Sequence, residues 1–91
     1  MKIIYLQAAL QDMVWFRKYY ASVFPAGKRS ARRVLLQTEG LIADNPLIGQ
    51  ATSPDSHTRE FPLLHTPFNM LYRVTPDHIE ILRIFDNRAE R

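Results

Sequence analysis

A chain of 91 residues with 46% hydrophobic content and three glycines is long enough for one folded domain with a modest core, expected to span 1–91. With no cysteine it excludes disulfide staples, thiol catalysis and cysteine-ligated zinc. Twelve Lys and Arg against nine Asp and Glu leave a net charge of +3, which admits an acidic protein or a nucleic acid as partner without demanding either.

No secretory leader and no run of about 20 apolar residues is visible, so a cytoplasmic location is expected. Lys2 to Leu6 is a short apolar run of strand type, to be placed as an edge or a central strand. From Gln7 to Phe24, Ala9, Met13, Phe16, Tyr20 and Val23 recur at helical spacing and Pro25 closes the segment. A second helix is expected over Lys28 to Asp44, with Ala31, Val34, Leu35, Thr38, Leu41 and Ile42 as its buried stripe and Asn45-Pro46 as its stop. The short connection makes the pair an antiparallel hairpin. Leu47 to His57 reads as a polar loop.

Thr58 to Arg88 carries three strands. Arg59, Phe61 and Leu63 alternate with Glu60, Pro62 and Leu64, and Phe68, Met70, Tyr72 and Val74 alternate with Asn69, Leu71 and Arg73. A tight connection at His65-Thr66 sets Leu63 opposite Phe68, Phe61 opposite Met70 and Arg59 opposite Tyr72. A turn centred on Pro76-Asp77 sets Val74 opposite Ile79, Tyr72 opposite Ile81 and Arg73 opposite Glu80. The expected fold is α+β: an N-terminal strand, an antiparallel helix hairpin, then a three-stranded antiparallel meander with the helices on one face of the sheet. That face is expected to carry Phe61, Leu63, Phe68, Met70, Tyr72, Val74, Ile79, Ile81 and Phe85, together with Arg59 and Arg83. The second face carries Glu60, Asn69, Arg73, Glu80 and Asp86, but also Leu64, Leu71, Leu82 and Ile84. That is more apolar than a solvated face needs to be, and it predicts a partner there.

Ala9 to Tyr20 (ALQDMVWFRKYY), Asn45 to Gly49 (NPLIG), Arg59 to Val74 (REFPLLHTPFNMLYRV) and Ile79 to Ile84 (IEILRI), in this element order, resemble the ParE branch of the RelE/ParE toxin superfamily over nearly the whole chain. The resemblance implies a bacterial toxin of a type II toxin–antitoxin pair, held in a hetero-oligomer by an antitoxin whose tail wraps the toxin surface. ParE-like members act on DNA gyrase, with growth inhibition and plasmid stabilisation as outcomes; RelE-like members cut mRNA on the ribosome; a chain that keeps the fold and the antitoxin partner but has lost toxicity is the third alternative. RelE-like cleavage needs cations on the middle strands to stabilise phosphate charge. Here the matching positions hold Glu60, Pro62 and Asn69, and only Arg88 falls on an arginine of that pattern, so the resemblance leans to the non-nuclease branch. Asp86-Asn87-Arg88 departs from the His-x-Arg type end of many ParE-like chains.

The resemblance and the residues together name the candidates. Leu64, Leu71, Leu82 and Ile84 are expected to bind the antitoxin. Arg59, Arg83 and Arg88 are candidates for target contact, with surface solvation as the alternative for Arg59 and Arg88, and with an ion pair to Asp12 or Glu39 as the alternative for Arg83. A nuclease would use Arg59, Arg73, Arg88 and His65. Lys28, Arg29, Arg32 and Arg33 read as a solvated helix face rather than a nucleic-acid patch, and no sequence-specific nucleic-acid binding is expected. His57, His65 and His78 lack ligand spacing, so no metal and no cofactor is expected. Asp55-Ser56-His57 has triad residue types without triad geometry. Trp15, Tyr19 and Tyr20 read as packing residues, and an exposed Trp15 would mark a partner surface.

Overall fold

The computed structural model describes residues 1–23, 27–54 and 56–88. Its elements are β1 (Lys2–Tyr5), α1 (Gln7–Val23), α2 (Gly27–Asp44), β2 (Gln50–Ala51), β3 (Thr58–Pro62), β4 (Phe68–Val74) and β5 (His78–Asp86), and the strands form one sheet in the order β1-β5-β4-β3-β2. The expected α+β architecture is present. β1 takes an edge, parallel to β5, with Ile3 beside Ile79 and Tyr5 beside Ile81. The predicted ends of the first helix at Phe24 and Pro25 lie outside the described residues.

The meander registers follow the sequence pattern. Phe61 pairs with Met70 and Arg59 with Tyr72, and the Leu63 N–H donates to the Phe68 carbonyl at 2.9 Å. Across the second turn Val74, Arg73 and Tyr72 face Ile79, Glu80 and Ile81. Thr75 holds that turn: its N–H donates to the His78 carbonyl at 2.9 Å and its hydroxyl accepts from the His78 N–H at 3.0 Å.

Beyond Ile81 the expected alternation fails. Leu71 pairs with Arg83 while Tyr72 pairs with Ile81, so Leu82 is an extra residue, a β-bulge. The bulge reverses the parity of everything after it. Ile84, expected on the second face, sits opposite Met70 in the core at 2% exposure. Arg83 and Phe85, expected towards the helices, pair with Leu71 and Asn69 on the second face. The physical reason lies at the sheet edge. The Leu6 N–H makes a backbone bond to the Ile81 carbonyl at 3.0 Å. Past it the edge of β5 is taken over by α1: Asp12 Oδ2 accepts from the Ile84 N–H at 3.0 Å and from Arg83 Nε at 2.7 Å, and Oδ1 accepts from Arg83 Nη2 at 3.2 Å. Of the two partners foreseen for Arg83, Asp12 is the one it meets. Asp12→Ala should therefore strand the half-buried Ile84 N–H while Arg83 turns to solvent, lowering stability by about 1–3 kcal/mol in a denaturant titration, with Asp12→Asn in between.

The two helices cover the face that carries Phe68, Met70, Tyr72, Ile79, Ile81 and Ile84, all buried. Phe16 meets Phe68 edge-on at 5.0 Å and Tyr20 at 4.9 Å. Tyr5 ties α2 to β1, its hydroxyl donating to Glu39 Oε2 at 2.8 Å. Burial, then that hydrogen bond and the carboxylate charge, push the phenol above its ordinary range. The helical stripes are buried at Ala9, Phe16, Tyr20, Ala31, Leu35, Thr38 and Ile42. Val23 and Leu41, expected within them, are 49% and 38% exposed. Periodicity says which side of a helix a residue takes, not whether anything lies opposite it.

Gln50–Ala51, expected within a loop, pairs with Glu60 and Arg59 as the short edge strand β2. What brings it there is the Pro46 to Gly49 segment. The Tyr72 hydroxyl donates to the Pro46 carbonyl at 2.7 Å and accepts from the Gly49 N–H at 2.9 Å, while Arg59 Nη1 donates to the Gly49 carbonyl at 2.8 Å and to the Leu47 carbonyl at 3.3 Å. A core tyrosine needs a partner for its hydroxyl, and this loop supplies two. Burial pushes that phenol up, partly offset by the Gly49 bond and the nearby Arg59 charge.

Candidate functional site

The second face of the sheet lies opposite the one that the helices cover. Its rows follow from the strand pairs: Ile4, Glu80, Arg73 and Thr58 in one, Arg83, Leu71, Glu60 and Gln50 in the next, and Phe85, Asn69 and Pro62 in the third. Leu71 and Phe85 are half-buried within it; Leu64 in the β3–β4 turn and Leu82 at the bulge are half-buried too, outside the paired rows. The face mixes apolar and polar residues, with Leu71 flanked by Arg83 and Glu60, and one end of it is charged. There Arg73 Nε donates to Glu80 Oε1 at 2.8 Å, His78 Nε2 meets Glu80 Oε2 at 3.1 Å, and Thr75 Oγ1 meets His78 Nδ1 at 3.2 Å. Arg73 first, and His78 second, hold the Glu80 carboxyl below its usual range.

Of the four residues expected to meet an antitoxin, Leu64, Leu71 and Leu82 are half-buried and Ile84 belongs to the core. The bulge substitutes Phe85 for Ile84 on this face, a larger apolar side chain that the alternation alone assigns to the wrong side.

The three target candidates are all engaged. Arg59 holds the Pro46 to Gly49 loop, Arg83 pairs with Asp12, and Arg88 forks onto Asp86, with Nε to Oδ1 at 3.1 Å and Nη2 to Oδ2 at 2.8 Å. Asp86 and then Tyr19 push the Arg88 guanidinium up, and Arg88 holds the Asp86 carboxyl down. Arg83 and Arg88 still expose 56% and 61% of their side chains, so both remain reachable. Trp15 is 50% exposed, stacked on Tyr19 at 5.9 Å and edge-on to Phe68 at 5.5 Å, which makes it a packing residue with one free face.

The residues of the nuclease alternative are not brought together. Arg59 pairs with Tyr72, on the helix-covered face, whereas Arg73 faces Glu80 on the other. His65 stands exposed in the β3–β4 turn at φ 60, and Arg88 follows β5 at that same end. Phe68 and Arg73 mark opposite ends of β4, separated by roughly 17 Å at the rise of a strand. Glu60 and Pro62 occupy the second-face positions of β3. Ser56 accepts from the Thr58 N–H at 3.0 Å within its own loop, while Asp55 lies outside the described residues. Among the described residues no group of three His, Asp or Glu is placed to hold a metal ion.

The family model for the ParE toxin of type II toxin–antitoxin systems, parDE, matches residues 3–90. The chain belongs to the ParE toxin family. Two solved structures share the fold of this ParE family member. One is the chromosomal ParDE toxin–antitoxin system from P. aeruginosa, with TM-score 0.66, 20% identity, and 94% of this chain and 95% of that chain covered. The other is the toxin–antitoxin complex RelBE2 from Mycobacterium tuberculosis, with TM-score 0.64, 18% identity, and 93% and 95% covered. No curated protein matches the sequence. The chain is thus a type II toxin in its family and fold, and among the described residues no helix is long and apolar enough to cross a membrane.

Proposed function

We propose that this ParE-family toxin acts in the cytoplasm by binding DNA gyrase, without catalysing a reaction of its own, and that a cognate antitoxin silences it by lying on the second sheet face. The observation that carries the gyrase side is the strand chemistry. A ribosome-dependent nuclease has to neutralise a phosphorane, and the middle-strand positions here offer a carboxylate, a proline and an amide, Glu60, Pro62 and Asn69. The remaining cations, Arg59, Arg73 and Arg88, are held by a loop carbonyl, by Glu80 and by Asp86 at separate places. Binding needs no such convergence, only a surface.

The antitoxin side rests on Leu71 and Phe85, apolar residues of the second face, together with half-buried Leu64 in the β3–β4 turn and Leu82 at the bulge. An extended segment crossing these strands would finish burying them, and the charged Arg73–Glu80–His78 end would fix its direction. The structures of relatives described as toxin–antitoxin complexes support an antitoxin as the partner.

The purified chain added to a translating extract should leave mRNA intact while protein synthesis continues. Codon-linked cuts in the message would assign the chain to the nuclease branch instead.

A further inference from the structure

The charge of this chain is unevenly placed. Six of its twelve Lys and Arg fall within residues 13–38, a stretch that contains no Asp or Glu, and the remaining residues hold six cations against nine anions. A cationic segment is therefore joined to a body that is net acidic.

The fold concentrates this segment. α1 and α2 run antiparallel, so the second half of α1, with Arg17 and Lys18, lies at the same end of the hairpin as the first half of α2, with Arg29, Arg32 and Arg33, and all five side chains are exposed. Arg17 and Arg32 line one shallow groove together with Glu39, whose carboxylate also accepts from the Tyr5 hydroxyl. Each ion pair among the described residues involves a strand residue, and none includes these five cations.

Leaving them so is costly. The first turn of α2 holds no acidic residue, and Arg29 there opposes the helix dipole at a cost of about 0.3–1 kcal/mol. A protein interface would have to bury these charges at its core, where charged residues are depleted although arginine itself is enriched. A nucleic-acid backbone fits this surface, since its partners are strongly positive and arginine-rich. Residues three and four apart on a helix have Cβ atoms about 5–6 Å from each other, so Arg29 stands beside both Arg32 and Arg33.

We infer that the α1–α2 hairpin is a docking surface for duplex DNA, contacting phosphates without reading bases. This leaves the second sheet face for the antitoxin. It rests on the gyrase reading for its purpose, holding the toxin against the DNA on which the enzyme works, but the binding is measurable on the chain alone.

The test is fluorescence anisotropy with a labelled duplex of about 20 base pairs of arbitrary sequence, titrated between about 50 and 200 mM KCl. Four to five phosphate contacts give a slope of log affinity against log salt of roughly −4. The triple variant Arg29→Glu, Arg32→Glu, Arg33→Glu should weaken binding at least about tenfold and flatten the slope by about 2 to 3. The milder Arg→Gln triple serves if the charge reversal does not fold, and Lys2→Glu on the sheet should change little. An unchanged affinity and slope in the triple variant overturns the inference. So does a duplex RNA of equal length bound some tenfold more tightly, or polyglutamate displacing the DNA at equal charge concentration. If DNA binding behaves as expected while gyrase is unaffected, the docking surface stands and the gyrase reading falls.

Discussion

Gly49→Ala should lower the melting temperature by roughly 15 °C, about 3 kcal/mol for a domain of this size. A Cβ at Gly49 would lie 2.6 Å from the Tyr72 hydroxyl oxygen and 2.8 Å from the Glu60 carbonyl oxygen. The carbonyl belongs to β3 and cannot swing aside. Moving the tyrosine instead breaks its bonds to Pro46 and Gly49, each worth about 1–3 kcal/mol when the group left behind is buried. Gly40 provides the contrast. It lies within α2 with nothing inside 4 Å of its would-be Cβ, so Gly40→Ala should stabilise by about 0.5–1 kcal/mol through helix propensity. Opposite signs at two glycines of one chain, read by thermal melting, check the loop anchor directly. Equal effects at both would mean that the Pro46 to Gly49 segment is not held as described.

The second large effect concerns the antitoxin. Leu71→Asp places a charge at the centre of the second face, opposite Arg83 and Glu60 rather than against the core. Folding stability should change by less than about 1 kcal/mol, because the side chain points away from the helices. Antitoxin binding should weaken by at least about 30-fold, the effect of losing an interface centre worth 2 kcal/mol or more. Leu47→Asp, at 64% exposure in the anchored loop, is the matched control and should bind as the parent does. Calorimetry with the purified antitoxin separates the two, and equal affinities for both variants would move the antitoxin elsewhere.

The meander was legible in the sequence because each turn fixed a register that the alternation of Phe61, Met70 and Tyr72 then supported from both strands. The bulge was not. Ile81, Leu82, Ile84 and Phe85 place apolar side chains on both parities, so a one-residue slip looks equally good until the strand edge is considered. What decides it is Asp12, 72 positions from Ile84 in sequence, accepting that residue's N–H. β2 was hidden for a related reason: two residues without alternation become a strand only because Tyr72 and Arg59 hold the loop before them. The candidate site suffered in proportion. Leu64, Leu71 and Leu82 came from pattern alone, whereas Phe85 in place of Ile84 required the bulge. The arginines were visible as residues but not as partners, since Arg59 turned out to serve the loop and Arg88 to fork onto Asp86.

Plasmid supercoiling by purified gyrase, with this chain added in increasing amounts, decides whether gyrase is the target. Supercoiling should fall, with gyrase trapped on DNA, and recover when the antitoxin is supplied in equal amount. Full supercoiling in the presence of excess folded toxin would rule gyrase out.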